Sequence, residues 1–311
     1  MEKVTESAIN QSKSPTKRRK LLRGYTGLFW ILPGFALLLI FSYYPALSSF
    51  FYSMTDWNAK LYNFIWFDNF KELFRDTIFL KSIGTSLILT SSGIVIGNVA
   101  TIILAELLFN LRSTRLGGVY RFLFVLPCLV PGIVTMLLWN KIIFAVNETG
   151  LANAILLKLH IISEPLTWYA GEKTVLISLI LTNFPWVAGT SFLIYLAGLQ
   201  NIPHEVIEAA TLDGITLPKR ILYIDMPFIL GQIRYFLILG FIGGLQNYNM
   251  QLLFTKGGPF YASMVPGYYI YWQAFNNTRF GYACACGIVM FVIIFAITLL
   301  TNKVKTSEDV M

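Results

Sequence analysis

Side chains able to do acid–base, nucleophilic or metal chemistry are few in this chain, and their spacing favours none of the three. His160 and His204 are its two histidines. The charge pattern below assigns them to opposite sides of a membrane, which argues against a shared metal or proton relay. Cys128, Cys284 and Cys286 all lie in apolar runs, with 284 and 286 on different faces of any helix. They read as small apolar core residues, not as a disulfide framework or metal site. A G-x-x-x-x-G-K-[ST] phosphate loop, a G-x-S-x-G elbow and an H-E-x-x-H helix are all missing. Glu106 and Arg234 are the charges nearest the apolar interior, each within about two turns of a run's end, and read as snorkelling groups or a structural ion pair. Most other acids lie in loops. Three of them, Glu205, Glu208 and Asp213, sit between Pro203 and Gly214, where the available chemistry is the docking of a short capped helix.

Composition sets the elements that must position these residues. The 311 residues are 56% hydrophobic and 13% charged, with mean hydropathy +0.63. A soluble domain carries about 25% charged residues and must keep much of its surface polar. A soluble enzyme, a disordered chain and a nucleic-acid binder are thereby excluded, leaving a membrane protein. Uncharged stretches run from Gly24 to Thr55, Ser82 to Ala105, Phe122 to Asn140, Thr174 to Pro203, Tyr235 to Thr255 and Phe280 to Asn302. Each suits a helix crossing the ~30 Å hydrocarbon layer, where backbone groups must bond within their own segment.

The expected fold is all-α and polytopic, with six transmembrane helices over about 25–53, 82–109, 119–145, 174–200, 228–254 and 280–302. An even number of spans puts both termini on one side. Basic residues are densest in Lys17, Arg18, Arg19, Lys20 and Arg23, in Arg112, Arg115 and Arg121, and in Lys219, Arg220, Lys303 and Lys305. That side is therefore cytoplasmic, and the net charge of +8 marks membrane orientation. Residues 1–24 and 303–311 become cytoplasmic tails and 201–227 a cytoplasmic loop. The first apolar run exceeds a secretory h-region and reads as an uncleaved span. Gly257 to Thr278 is also uncharged, but its Gly257-Gly258-Pro259, Pro266-Gly267 and clustered tyrosines suit a broken, interfacial segment better than a seventh span.

Within 201–227, Pro203 suits the start of a helix, Glu205 its positive N-terminal end, and Gly214 its C′ position. Thr216 can cap a second short helix. So short a helix is marginal alone and needs a docking partner, for which Ala209-Ala210 offers a small face. Glu208-Ala209-Ala210, three residues, Gly214, nine residues, then Ile224-x-Met226-Pro227 resembles the coupling-loop signature of ABC importer membrane subunits, with Met226 where leucine is usual. Ile202-Pro203 and Asp213-Gly214 resemble the carbohydrate-importing branch. So do Leu126-Pro127-x-x-x-Pro131, Leu199-Gln200, Gly257-Gly258-Pro259 and Phe280-Gly281-Tyr282-Ala283. The chain is similar to the first of two permease subunits of maltose-transporter-like sugar importers, with the short loop Asp56 to Lys81 in place of extra N-terminal spans and a large external domain.

The resemblance implies a type I ABC importer permease fold in the bacterial cytoplasmic membrane, without catalytic activity of its own. It implies a second permease subunit, two cytoplasmic ATPase subunits that bind ATP and Mg, an extracytoplasmic solute-binding protein, and a carbohydrate, of the oligosaccharide class, as substrate. Glu208, Ala209, Ala210, Asp213, Gly214, Ile224 and Pro227 would couple to an ATPase. The family's sugar-facing positions fall on Cys128, Gly132, Asn183, Trp186, Val187, Thr190, Gly240, Gly244 and Asn247, with 183, 186, 187 and 190 on one face of a continuous helix. Gln246, Asn249 and Trp139 are nearby additions. Glycines would leave room in the cavity. An importer of glycerol-phosphate or a polyamine is the alternative, disfavoured because no basic residue stands clearly in the path. A secondary carrier would place ionisable groups near the midplane, which is almost empty here, and an intramembrane enzyme would need paired catalytic residues.

Overall fold

The computed structural model describes residues 30–303 apart from 186 and 188, so the expected tail 1–24, residues 304–311 and Trp186 lie outside the described residues. Among the described residues the regular structure is helical, with an isolated β-bridge between Thr55 and Phe64. It divides into two compact units, Met1–Phe51 and Tyr52–Met311. The first is carried by α1 (Trp30–Tyr52), whose apolar side chains, such as Trp30, Phe41 and Tyr44, are exposed. Its Ser48 and Ser49 hydroxyls donate back to the carbonyls of Pro45 and Ala46, so a lipid-length helix carries them without an outside partner.

The second unit is built on α3 (Thr77–Phe109), 33 residues without a break. At ~1.5 Å per residue it is about 50 Å long, well beyond the hydrocarbon layer. The unit's other helices are α2 (Asp68–Leu73), α4 (Thr114–Val125), α5 (Gly132–Leu138), α6 (Leu151–Lys158), α7 (Val175–Leu181), α8 (Gly189–Gln200), α9 (His204–Leu212), α10 (Leu217–Phe228), α11 (Leu230–Gln246), α12 (Pro266–Tyr271) and α13 (Phe280–Thr301), of which α7, α8, α11 and α12 pack on α3. Two apolar cores sit at the two ends of α3. One gathers Phe79, Leu245, Tyr269, Tyr282 and Met290, the other Ala105, Leu108, Phe192, Tyr195 and Leu199.

Prolines decide where the helices break. Among the described residues three helices, α1, α3 and α13, are long and apolar enough to cross a membrane, and two bent pairs raise this to five if each is one span. The first pair bends by 87° between Leu129 and Gly132, where Val130 is extended ahead of Pro131 as the proline ring requires. The second bends by 66° at Ile229, just past Pro227. The continuous helix expected over 174–200 does not form. It is interrupted between α7 and α8, because Pro185 has no N–H to donate and excludes the helical conformation from the residue before it. The single face drawn through 183, 187 and 190 is therefore replaced by an irregular turn.

Between α11 and α13, Gly257 to Thr278 yields α12 and its continuation Trp272–Asn276. These are far short of the ~20 residues of a span. A polar corner holds the segment down. Asp76 caps α3 through the amides of Ile78 (2.9 Å) and Phe79 (3.2 Å). The same carboxylate accepts the hydroxyls of Tyr269 and Tyr282, joining α3 to α12 and α13. Partial burial would raise the Asp76 carboxyl, but the hydrogen bonds from Tyr269, Phe79, Tyr282 and Ile78 outweigh it and hold it below the ordinary aspartate value. Beside it, Arg279 grips both oxygens of Glu72 at 2.8 and 2.6 Å and lies 4.4 Å from the Tyr282 ring centroid.

Candidate functional site

A cavity of about 680 Å³ opens along the middle of α3, within the range of small-molecule sites. It collects residues from five separate stretches of the sequence. The interrupted segment and α8 bring Asn183, Val187 and Thr190, α11 brings Gly240 and Gly244, and Asn247 follows just past its end. These six candidate path residues are therefore neighbours in space. Cys128 and Gly132 are not among the lining residues. The Cys128 sulfur instead accepts the amide of Gly189 at 3.0 Å, holding the first residue of α8, and Gly132 starts α5 in an exposed position. Gln246, Asn249 and Trp139 also lie off the cavity: Gln246 bonds back to the Ile242 carbonyl, Asn249 donates its amide to Asn247 Oδ1, and Trp139 packs on Phe144.

The interruption at 182–185 has a direct chemical consequence. A broken helix leaves backbone N–H and C=O groups unpaired, each costing several kcal/mol in hydrocarbon. Such a turn is stable only where it faces protein or a water-filled space, and this one lines the cavity at Asn183 and Val187.

Gly240 and Gly244 have a second use beyond the expected one. A Cβ at Gly240 would lie 2.7 Å from Ile94 Cγ1, and one at Gly244 would lie 2.6 Å from Thr90 Cγ2. Their four-residue spacing is the small-xxx-small pattern that lets membrane helices approach closely. They set the distance between α11 and α3 as well as bordering the cavity.

The other wall is α3, whose contribution sequence reasoning missed. Ser86, Thr90, Asn98 and Thr101 line the cavity, at spacings of four, eight and three that keep them on one helix face. With Gly93 and Gly97 they form a small, polar stripe through a run that was read only as uncharged, and the period-of-four placement of serine and threonine is the signal that could have found it. Asn98 Oδ1 accepts the hydroxyl of the buried Tyr195 at 2.7 Å, fixing α3 to α8. Ser191 and Gln251 complete a polar lining in which no residue is charged.

The 201–227 loop folds as a capped helix on the end of the bundle. Pro203 occupies the N-cap position of α9, with Glu205 in the first turn. At the other end Gly214 adopts φ +70°. Its amide bonds the Thr211 carbonyl at 3.1 Å and the Ile215 amide bonds the Ala210 carbonyl at 3.0 Å, which together make a Schellman cap. Thr216 stands at the N-cap position of α10, though its hydroxyl makes no cap bond. The expected Ala209-Ala210 face is split: Ala210 is buried, with Val206 and Ile207 half-buried beside it. Glu208, Ala209 and Asp213 are exposed, as is Leu212 at 89%. Glu208, Ala209 and Leu212 share the outward face, so the helix offers a small apolar knob flanked by two acids. Ile224 and Pro227 are half-buried in α10 and belong to its packing.

Comparison with known proteins adds to this geometry. Residues 93–305, well over half of the chain, match the family described as binding-protein-dependent transport system inner membrane component. The multiple sugar-binding transport system permease protein MsmF of Streptococcus mutans is 29% identical, covering 94% of this chain and 99% of that protein. The probable ABC transporter permease protein YesP of Bacillus subtilis is 31% identical over 94% of each. The lactose transport system permease protein LacF of Rhizobium radiobacter is 30% identical, covering 92% of this chain and 96% of that protein. Among solved structures, a bacterial ABC transporter involved in the import of the acidic polysaccharide alginate superposes with TM-score 0.78 at 23% identity, over 92% of this chain and 96% of that one. The all-α architecture is thus that of a type I ABC importer permease. By sequence over most of its length, the chain belongs to the inner-membrane components of binding-protein-dependent transport systems.

Proposed function

We propose that this chain, as one of two permease subunits, forms half of the path by which a neutral oligosaccharide enters the bacterial cytoplasm, driven by two separate ATPase subunits and supplied by an external solute-binding protein. The observation that carries the substrate class is the cavity wall: Thr90, Asn98, Asn183, Thr190 and Asn247 bring hydroxyls and amides to it, and none of its lining residues is charged. Such groups exchange hydrogen bonds with sugar hydroxyls as readily as with water. A phosphorylated solute or a polyamine would leave its charge without a counter-ion against this wall. The carbohydrate named for MsmF and LacF supports the same reading.

In this reading six spans place 201–227, both termini and the ATPases on the cytoplasmic side, and the interrupted 174–200 segment acts as one broken span. The exposed face of α9 seats in a groove on an ATPase, and Glu208, Ala209, Leu212, Asp213 and Gly214 make the contact. ATP-driven closure of the ATPases moves the spans between inward- and outward-open states, because packed interfaces switch between discrete arrangements instead of stretching.

The path is tested by Asn183→Leu and Asn247→Leu in the assembled transporter. Each removes an amide while keeping the side-chain size, so the half-saturating concentration for uptake is expected to rise about tenfold. ATP hydrolysis stimulated by the binding protein should change little. Unchanged uptake by both variants would remove these residues from the path.

A further inference from the structure

Buried charge is rare among the described residues, yet one cluster lies where α10 meets the end of α3. Asp225 on α10 is fully buried and Glu106 on α3 is 5% exposed. Arg220 pairs with the first and reaches the second through Asn110. It donates from Nε to Asp225 Oδ2 at 3.1 Å and from Nη2 to Asn110 Oδ1, just past the end of α3. Asn110 donates in turn to the carbonyl of Glu106 at 2.8 Å and to its Oε2 at 3.3 Å. The guanidinium lies 5.7 Å from the centroid of the Phe109 ring.

This placement is not snorkelling, because the guanidinium turns into the protein toward buried partners. A flexible ammonium would hold such partners loosely, whereas the planar fork of arginine fixes direction as well as distance. One side of the cluster is the stem that follows α9. The other is a single unbroken helix whose middle, from Ser86 to Thr101, walls the cavity. A displacement of the stem that carries the Asn110 end of α3 must tilt that wall.

We propose that Arg220 is the positioning residue that transmits movement of the docked loop to the substrate cavity, by clamping the α10 stem to the end of α3 through Asp225, Asn110 and Glu106. The inference rests on the reading of α9 as the ATPase contact. It concerns the next link, from that contact to the path.

The test is the ratio of sugar imported to ATP hydrolysed by the complete transporter, reconstituted in vesicles with its binding protein. A purely structural role for Arg220 lowers both rates together and leaves the ratio unchanged. A transmitting role lets hydrolysis proceed without transport, so Arg220→Gln should lower the ratio about tenfold, the size of a typical coupling between sites. Arg220→Lys, which keeps the charge but not the fork, should fall in between. Should the glutamine variant accumulate poorly because the buried Asp225 carboxylate is left without a cation, Arg220→Gln combined with Asp225→Asn removes that cost, and the lowered ratio is expected there too. An unchanged ratio in these variants, with Gly214→Pro inactive, overturns the clamp alone. Normal uptake by Gly214→Pro would instead overturn the loop reading beneath it.

Discussion

Gly214→Pro is expected to abolish uptake while the chain still inserts into the membrane in normal amounts. Gly214 sits at φ +70° with its amide bonded to the Thr211 carbonyl. Proline fixes φ near −65° and has no N–H, so neither the conformation nor the bond survives. The loss falls on the C-terminal cap of α9 alone, because the residues around Gly214 are exposed and a Cβ there would meet open space. Gly214→Ala isolates the backbone effect: it costs about 1 kcal/mol for the left-handed conformation and should leave substantial uptake. Vesicle uptake, read beside the amount of membrane-inserted chain, separates the outcomes. Full uptake by the proline variant would show that a formed α9 is not required for coupling.

Gly281→Val is expected to fail differently, by preventing the fold itself. A Cβ at Gly281 would lie 2.0 Å from the Thr55 carbonyl oxygen and 2.9 Å from the Trp57 amide nitrogen. Both are backbone atoms with no side-chain freedom to retreat. The glycine is needed because its own amide bonds the Trp57 carbonyl at 2.9 Å, bringing the start of α13 directly onto the loop after α1. The same strand of loop is held by Asn69, whose amide nitrogen reaches the carbonyls of Ser53 and Thr55 at 2.8 Å each. Overpacking of this kind costs about 3 kcal/mol or more, a large part of the stability of most domains. The variant should be lost from the detergent-soluble, monodisperse fraction, where Gly287→Val, at a position open on its Cβ side, should remain.

The helical, membrane-spanning class followed from composition because lipid leaves few alternatives. The two ends of α9 were legible for a related reason: Pro203 and Gly214 act through their own backbone, and local backbone preference needs no knowledge of neighbours. What depended on neighbours was harder to read. Ala209 and Ala210 are identical in sequence, and only the packing of α9 on the bundle turns Ala210 inward. The glycines at 240 and 244 look like empty space in a path, yet their Cβ directions point at Ile94 and Thr90. Pro185 was visible within 174–200, but the apolar run on both sides hid the break it causes. The polar stripe of α3 escaped notice because serine and threonine scattered through an uncharged run are individually unremarked, and their shared face matters only once α8 and α11 close around it. Arg220 counted as one more basic residue marking a membrane side, and only the fold shows that it turns inward to Asp225.

The central claim is that this chain conducts a sugar under the control of ATP and a binding protein. It is tested most directly by sealed vesicles containing the chain with its second permease subunit and ATPases, given a radiolabelled neutral oligosaccharide on the binding-protein side. Accumulation is expected only when ATP is present on the ATPase side and the binding protein on the other. It should vanish when either is withdrawn. Accumulation by the chain in vesicles lacking the ATPases, or driven by an ion gradient alone, would contradict the account.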